Sequence, residues 1–96
     1  MRMHNPPHPG EVIDGIYLEP FNVSARTIAT QLGVSPSTFA RVVSGKNAVS
    51  PDMAIRLSKV LGRSPESWLQ MQANYDLWMA QQQNPHDELV AYEFAG

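Results

Sequence analysis

The sequence predicts an all-α protein, a compact five-helix domain in a chain of 96 residues. Two observations predict it. Apolar residues recur at helical spacing in five segments, for example at Ile28 and Leu32. Three of those segments open with a Ser-Pro pair, which suits a helix start because serine accepts an orphan backbone N–H and proline has none to satisfy. No Asn-Gly or similar hairpin signal joins two strand-like runs.

The first two helices lie before the glycine at position 33. We expect the first in the segment HPGEVIDGIYLEPF, where Pro9 fits the first turn and Pro20 ends the helix. The second begins at the N-cap Ser24 and ends at Gly33, which suits a left-handed residue after a helix. The expected inward residues are Val12, Ile13, Ile16 and Tyr17 in the first helix, and Ala25, Ile28, Ala29 and Leu32 in the second.

The remaining three helices begin at the Ser-Pro pairs of Ser35, Ser50 and Ser64. The third is expected to end near Gly45 and the fourth at Gly62. The fifth carries a broad apolar face, part of which is a candidate subunit interface. The expected inward residues are Phe39 and Val42 in the third helix and Ala54, Leu57 and Leu61 in the fourth. The broad face of the fifth helix, which we interpret mainly as core, consists of Trp68, Met71, Tyr75 and Trp78, with Leu69 and Leu77 beside it.

A short glycine turn joins the second and third helices in the stretch IATQLGVSPSTFARVVSGK. Gly33 makes the turn, Val34 fills the core beneath it, and Ala29 is small where the two helices cross. Such a pair forms a helix-turn-helix, which presents its second helix to the major groove of DNA. The alternative is a helical hairpin in which the turn is only a connection.

The outward face of this predicted recognition helix carries hydrogen-bond donors. Arg41 is its one exposed side chain that can make a bidentate contact, with guanine as the best target. Ser37 and Thr38 can bond base edges or phosphates near the helix N-terminus. Lys46 and Asn47 follow in a loop and offer a cation and an amide to the phosphate backbone. Double-stranded DNA is therefore the predicted partner.

The charge is separated along the chain, although the net charge is only −2. The segment from Asn22 to Arg63 contains six basic residues and one acidic residue, Asp52, which gives a net charge of +5. The rest of the chain has a net charge of −7, with Arg2 against eight acids. A basic centre suits contact with a polyanion because charges act over about 8 Å at physiological salt. An unevenly charged, solvated surface is the other interpretation.

Several functions are disfavoured by composition. The chain has no cysteine, no long apolar run and no apolar signal-peptide core, so we expect a cytoplasmic protein that contacts no membrane. It has no phosphate-binding glycine loop and no acid–base cluster, so we expect neither an enzyme nor a cofactor. His4 and His8 have a helical metal-ligand spacing, but the prolines between and beside them forbid a helix, so no metal site is expected.

The expected organisation has three parts. Residues 1–8 form a flexible N-terminal arm that includes both histidines, residues 9–82 form the helix-turn-helix DNA-binding domain with its C-terminal helix, and residues 83–96 form a C-terminal tail. The tail alternates apolar residues at Val90, Tyr92 and Phe94. That pattern leaves open a strand, a lid over the core or a frayed end.

The stretch IATQLGVSPSTFARVVSGK resembles the helix-turn-helix of the phage-repressor (Xre/Cro, lambda-repressor-like) superfamily. With HPGEVI, AIRLSKVLG and WLQMQANYDLWMA added, the chain is similar to HigA-family antitoxins over roughly residues 8–80. This resemblance implies a homodimer that represses its own operon. It also implies the antitoxin of a type II toxin-antitoxin module, which neutralises a HigB-like ribonuclease toxin.

The resemblance also implies site residues. By position, the base contacts of the superfamily fall on Ser35, Pro36, Ser37 and Arg41, and its backbone contacts fall on Ser24, Arg26 and Lys46. Two positions depart from the superfamily pattern. Many repressors open the second helix with a phosphate-binding glutamine, but Ala25 stands here, so Arg26 would have to substitute. Pro36 cannot hydrogen-bond a base, so discrimination would depend more on DNA shape or half-site spacing.

Two alternatives remain beside the antitoxin. One is a stand-alone helix-turn-helix transcriptional repressor without a toxin partner, and the other is a helical interaction module that never touches DNA. The basic centre disfavours the interaction module. The nature of the adjacent reading frame distinguishes an antitoxin from a stand-alone repressor, because a toxin would be encoded there as a small basic protein.

Overall fold

Five helical regions in residues 5–95, the part that the computed structural model describes, confirm the predicted all-α class. The first region comprises α1 and a π-helical segment that continues it. The bounds are α1 Pro9–Val12, the π-helical segment Ile13–Leu18, α2 Ala25–Leu32, α3 Pro36–Val43, α4 Pro51–Val60 and α5 Pro65–Gln83.

The predicted helix starts are confirmed at atomic detail. The hydroxyl of Ser35 accepts the backbone N–H of Thr38 at 3.1 Å, and proline occupies the first helical position of α3. Ser50 and Ser64 cap α4 and α5 in the same way. Each cap pairs one of the N–H groups that a helix start would otherwise leave orphaned. Helix α2 starts from the same type of cap at Ser24.

One apolar core holds the helices together. Helix α1 packs against α3 and α5, α2 packs against α3 and α4, and α4 packs against α5. Trp68 lies fully buried between them, and its Nε1 donates to the carbonyl of Gly62 at 2.9 Å, so the indole N–H is paired. The buried core residues are Ile13, Leu18, Ala29, Leu32, Phe39, Val42, Val49, Met53, Ala54, Leu57 and Trp68.

The prediction that Ile16 faces inward is wrong. Its side chain is 49% exposed, whereas Ile13 and Leu18 are buried. The backbone after Val12 is π-helical, with i→i+5 hydrogen bonds such as Glu19 N to Asp14 O at 2.8 Å. Residues five apart therefore share a face, and the α-helical period that pointed Ile16 inward does not apply.

His8 does not belong to a flexible arm. The residue is 4% exposed, and its Nδ1 accepts the backbone N–H of Gly10 at 2.9 Å as the N-cap of α1. The ring also stands edge-on to Tyr75 of α5, with 5.0 Å between centroids. The first four residues of the expected arm, including His4, lie outside the described residues. The ordered domain thus includes His8.

The C-terminal part of α5 and the tail present apolar side chains to solvent. Leu77 is 59% exposed, whereas Trp68 on the same helix is fully buried. The tail forms no strand within residues 84–95, and Val90 is 89% exposed, which excludes a lid over the core. None of the described helices is both long and apolar enough to cross a membrane.

Candidate nucleic-acid interface

Helices α2 and α3 are joined by the turn that the sequence predicted. Gly33 has a φ of 74°, a left-handed conformation that favours glycine, and the N–H of Val34 donates back to the carbonyl of Ala29 at 3.1 Å. Ala29 is completely buried, as its small size led us to expect at a close helix crossing. The geometry is that of a helix-turn-helix, and α3 is its second helix.

An arginine from α4 holds this turn from outside. Nη1 of Arg56 donates to the carbonyl of Leu32 at 2.7 Å, and Nε of the same residue pairs with Asp52 at 2.8 Å. A cation at the C-terminus of α2 also interacts favourably with the negative end of the helix dipole. Arg56 therefore links the C-terminus of α2 to α4, a role that the sequence alone does not reveal.

Helix α3 has one buried and one exposed face. Phe39 and Val42 are buried in the core, as predicted. The opposite face is exposed and consists of Pro36, Ser37, Thr38, Ala40 and Arg41. The structure thus brings the predicted reading residues to one surface of the domain.

Two predicted contact residues already use their hydroxyls within the protein. Ser35 accepts from the Thr38 N–H and donates to the Thr38 hydroxyl at 2.8 Å. Ser24 caps α2 through the N–H of Thr27 at 3.1 Å. Both side chains are exposed, but each hydroxyl already accepts the backbone N–H that caps its helix. A DNA contact from Ser24 or Ser35 would therefore use a hydroxyl that also stabilises a helix start.

The loop after α3 folds back onto the helix. The backbone N–H groups of Lys46 and Asn47 both donate to the carbonyl of Arg41, at 2.8 and 3.0 Å, and Gly45 allows the reversal with a φ of 82°. Nε of Arg41 donates to Oδ1 of Asn47 at 3.2 Å. Arg41, Lys46 and Asn47 therefore form one continuous polar surface at the C-terminal end of α3.

The six basic residues of the centre are not equivalent. Arg56 is engaged at the α2 turn, and Arg63 donates to the hydroxyl of Tyr17 at 3.2 Å and lies over the Trp68 ring at 5.6 Å. These two cations stabilise the fold. The side chains of Arg26, Arg41, Lys46 and Lys59 are exposed.

Three positions that support this surface were missed as functional residues. Gly10 packs so closely against the end of α3 that an added methyl group would collide with the carbonyl oxygens of Val42 and Val43. Gln72 of α5 is 5% exposed and bonds the loop before α4, and His8 caps α1 next to that loop. The motifs HPGEVI and WLQMQ contain all three, but spacing alone does not reveal what they touch.

Burial lowers the pKa of His8 below its usual 6.5, because the buried site disfavours the charged imidazolium. The carboxylates of Asp76 and Glu11 and a backbone hydrogen bond with Asn47 oppose this effect without cancelling it. His8 is therefore neutral at pH 7, which is the state in which Nδ1 can accept from Gly10.

The chain matches the helix-turn-helix family over residues 16–68, which includes α2, α3 and α4. It is 44% identical over 77 residues to the uncharacterized HTH-type transcriptional regulator YddM of Escherichia coli strain K12, covering 80% of this chain and 81% of that one.

Two solved structures are similar over nearly the whole chain. The structure of antitoxin GraA in complex with its operator has a TM-score of 0.85 and 34% sequence identity. The similarity covers 99% of this chain and 98% of the GraA chain. The structure of Pseudomonas aeruginosa antitoxin HigA with the higBA promoter has a TM-score of 0.84 and 31% sequence identity. The similarity covers 93% of this chain and 99% of the HigA chain. The chain belongs to the helix-turn-helix family, and within that family it is similar to HigA-type antitoxins.

Proposed function

We propose that this protein is an operator-binding antitoxin, which represses its own operon and neutralises a HigB-like ribonuclease encoded beside it. The observation that carries the DNA-binding part is the exposed polar face of α3, on which Arg41 stands next to Lys46 and Asn47. Arg41 contacts a guanine, and Ser37 and Thr38 contact base edges or phosphates.

The phosphate contacts come from both sides of the recognition helix. Arg26 near the start of α2 and Lys46 after α3 are exposed cations. The N-cap serines Ser24 and Ser35 lie at the positive ends of α2 and α3, where backbone phosphates are also favoured. Pro36 contributes only apolar contact at the start of α3.

Two copies of the chain bind one operator. Helix α3 has only eight residues, so a single copy reads few base pairs. A two-fold dimer places two such helices in successive major grooves about 34 Å apart, and the operator is then a palindrome. Both GraA and the Pseudomonas HigA named above are described in complex with operator or promoter DNA, which supports this part of the proposal.

The toxin partner follows from charge and from the similarity to antitoxins. Exposed acids lie at Glu11 in α1, at Asp14 in the π-helical segment and at Glu19 directly after it, and in the tail at Asp87, Glu88 and Glu93. A ribonuclease must carry positive charge to hold RNA, so an acidic partner can steer to it and cover that surface. No cofactor or metal takes part in either activity.

The test is co-expression with the protein encoded by the adjacent reading frame. An antitoxin relieves the toxicity of that protein, and the two purify together at low salt. Reversing the charge of either acidic group, for example with Asp14→Lys and Glu19→Lys or with Asp87→Lys and Glu88→Lys, identifies the group that binds. Unrelieved toxicity with no co-purification contradicts the antitoxin function. If operator binding persists in that case, the protein is a stand-alone repressor.

A further inference from the structure

Arg41 has a defined neighbour on the recognition surface. Its Nε donates to Oδ1 of Asn47 at 3.2 Å. Arginine has no acceptor, so the asparagine must present its amide oxygen to this contact, and its Nδ2 group remains for another acceptor. Both side chains belong to the surface that the proposed function assigns to DNA, and they bond each other directly.

We propose that Asn47 is a positioning residue, which orients the guanidinium of Arg41 for base recognition and so contributes to operator specificity. This inference rests on the proposed function of Arg41 as the residue that reads a base. With Nε held by Asn47, the two terminal nitrogens of the guanidinium remain available as the parallel donors that guanine O6 and N7 require.

The backbone of Asn47 is itself fixed, which makes the residue a suitable support. Its N–H donates to the carbonyl of Arg41 at 3.0 Å. Gly45 of the same loop lies against the buried ring of His8, which a Cβ added at this position would meet at 3.7 Å. The loop is therefore hydrogen-bonded to α3 and packed against the start of α1, and the Asn47 side chain projects from a supported point.

A fixed neighbour lowers the cost of recognition. A long exposed arginine samples many rotamers, and ordering it on a base costs conformational entropy. If Asn47 already holds Arg41 in the binding rotamer, less conformational entropy is lost when Arg41 contacts its base. This gain applies only to the operator, because random DNA offers no matched guanine. Loss of Asn47 should therefore weaken operator binding more than binding to random DNA.

A measurement without DNA tests the contact itself. In nitrogen-15 NMR spectra, the Nε–H signal of Arg41, assigned by its loss in Arg41→Ala, should be shifted from that of unstructured arginine. Asn47→Ala should move it to the unstructured position, and Asn47→Asp, which keeps the acceptor, should restore the shift. Lys46→Ala is the matched control in the same loop and should leave the signal in place. An Arg41 signal that is identical in the wild type and Asn47→Ala overturns the proposal.

A double-mutant cycle on DNA tests the consequence. Asn47→Ala should weaken operator binding about tenfold and should change binding to random duplex less than twofold. In the Arg41→Ala background, the same substitution should have no further effect. Additive losses, or equal losses on operator and random DNA, overturn the proposal and make Asn47 an independent phosphate contact. Asn47→Ser replaces the alanine variant if the latter has a lowered melting temperature.

The two experiments separate this inference from the proposed function. If the wild-type protein binds no operator, the function proposed above is wrong, and the proposal that depends on it falls at the same time. If the wild type binds and the NMR signal does not respond to Asn47→Ala, only the positioning role is wrong.

Discussion

Gln72 and Val49, which lie 23 residues apart, are joined by a hydrogen bond inside the core. Oε1 of Gln72 accepts the backbone N–H of Val49 at 2.8 Å, and Nε2 donates to Asp76 at 2.9 Å. A buried glutamine with both ends of its amide paired ties α5 to the loop that precedes α4. That loop follows α3, so α5 supports the candidate DNA surface from behind.

We expect Gln72→Met to lower the free energy of unfolding by about 1–3 kcal/mol, because the Val49 N–H would stay buried without a partner. Chemical denaturation at a fixed protein concentration measures this. Gln70 of the same helix is exposed and bonds Asn74 one turn away, so Gln70→Met is the control and should stay within about 0.5 kcal/mol of the wild type. Equal effects of the two substitutions would contradict the structural role of Gln72.

Gly10 and Gly15 form a second matched pair. Gly10→Ala should destabilise the fold by about 1–3 kcal/mol, because the backbone carbonyls of Val42 and Val43 cannot move aside for a methyl group. A methyl group on Gly15 meets no atom within 4 Å, so Gly15→Ala should be neutral or stabilise by about 0.4–1 kcal/mol. Thermal unfolding of both variants measures the difference. A Gly10→Ala variant as stable as the wild type would show that α1 does not approach α3 so closely.

The stability should depend on pH through His8. Its pKa in the folded protein lies below the usual 6.5, so the unfolded chain binds the proton more readily. This contribution to stability is complete above pH 6.5 and is lost as the pH falls from 6.5 through the lower, folded-state pKa. Unfolding free energies measured across this range should therefore decrease with acidification.

His8→Asn should flatten this pH profile, because asparagine can still cap α1 but does not titrate. If the pH profile of His8→Asn is as steep as that of the wild type, the acid sensitivity belongs to other groups.

Arg41→Ala should cut specific operator binding by about 1–3 kcal/mol and relax the preference at one base pair in each half-site, because a bidentate contact is lost. Titrations with the operator and with a random duplex measure this. Lys59→Ala, which removes an exposed cation of α4, is the control and should preserve the preference. If Arg41→Ala weakens both duplexes equally, Arg41 contacts a phosphate and not a base.

Binding should weaken steeply with salt, with about −0.9 added to the log–log slope for each phosphate neutralised. Arg26→Ala and Lys46→Ala should each flatten the slope by about one. Arg63→Gln should flatten the slope less than either alanine variant, because contacts with Tyr17 and Trp68 orient the Arg63 guanidinium within the domain. An unchanged slope in either alanine variant removes that residue from the phosphate contact.

The sequence by itself determined the helices and the helix-turn-helix. The starts at Ser35, Ser50 and Ser64 and the turn at Gly33 were all predictable, because caps and left-handed turns depend on residues within one helical turn of each other. The exposed face of α3 followed from the helical period once Phe39 and Val42 were assigned to the core. Local chemistry therefore fixed the element order and the position of the candidate DNA surface.

Only the tertiary structure decided which polar residues serve the fold and which face solvent. His8 was expected in the flexible arm, Arg56 was counted only in the basic centre and Gln72 was assigned no role, yet each contacts a partner on another element. The π-helical segment, which turns Ile16 outward, was equally invisible in the apolar pattern. The burial of a polar group depends on partners distant in sequence, as with Gln72 and Val49, and the spacing of residues along a chain carries no information about such partners.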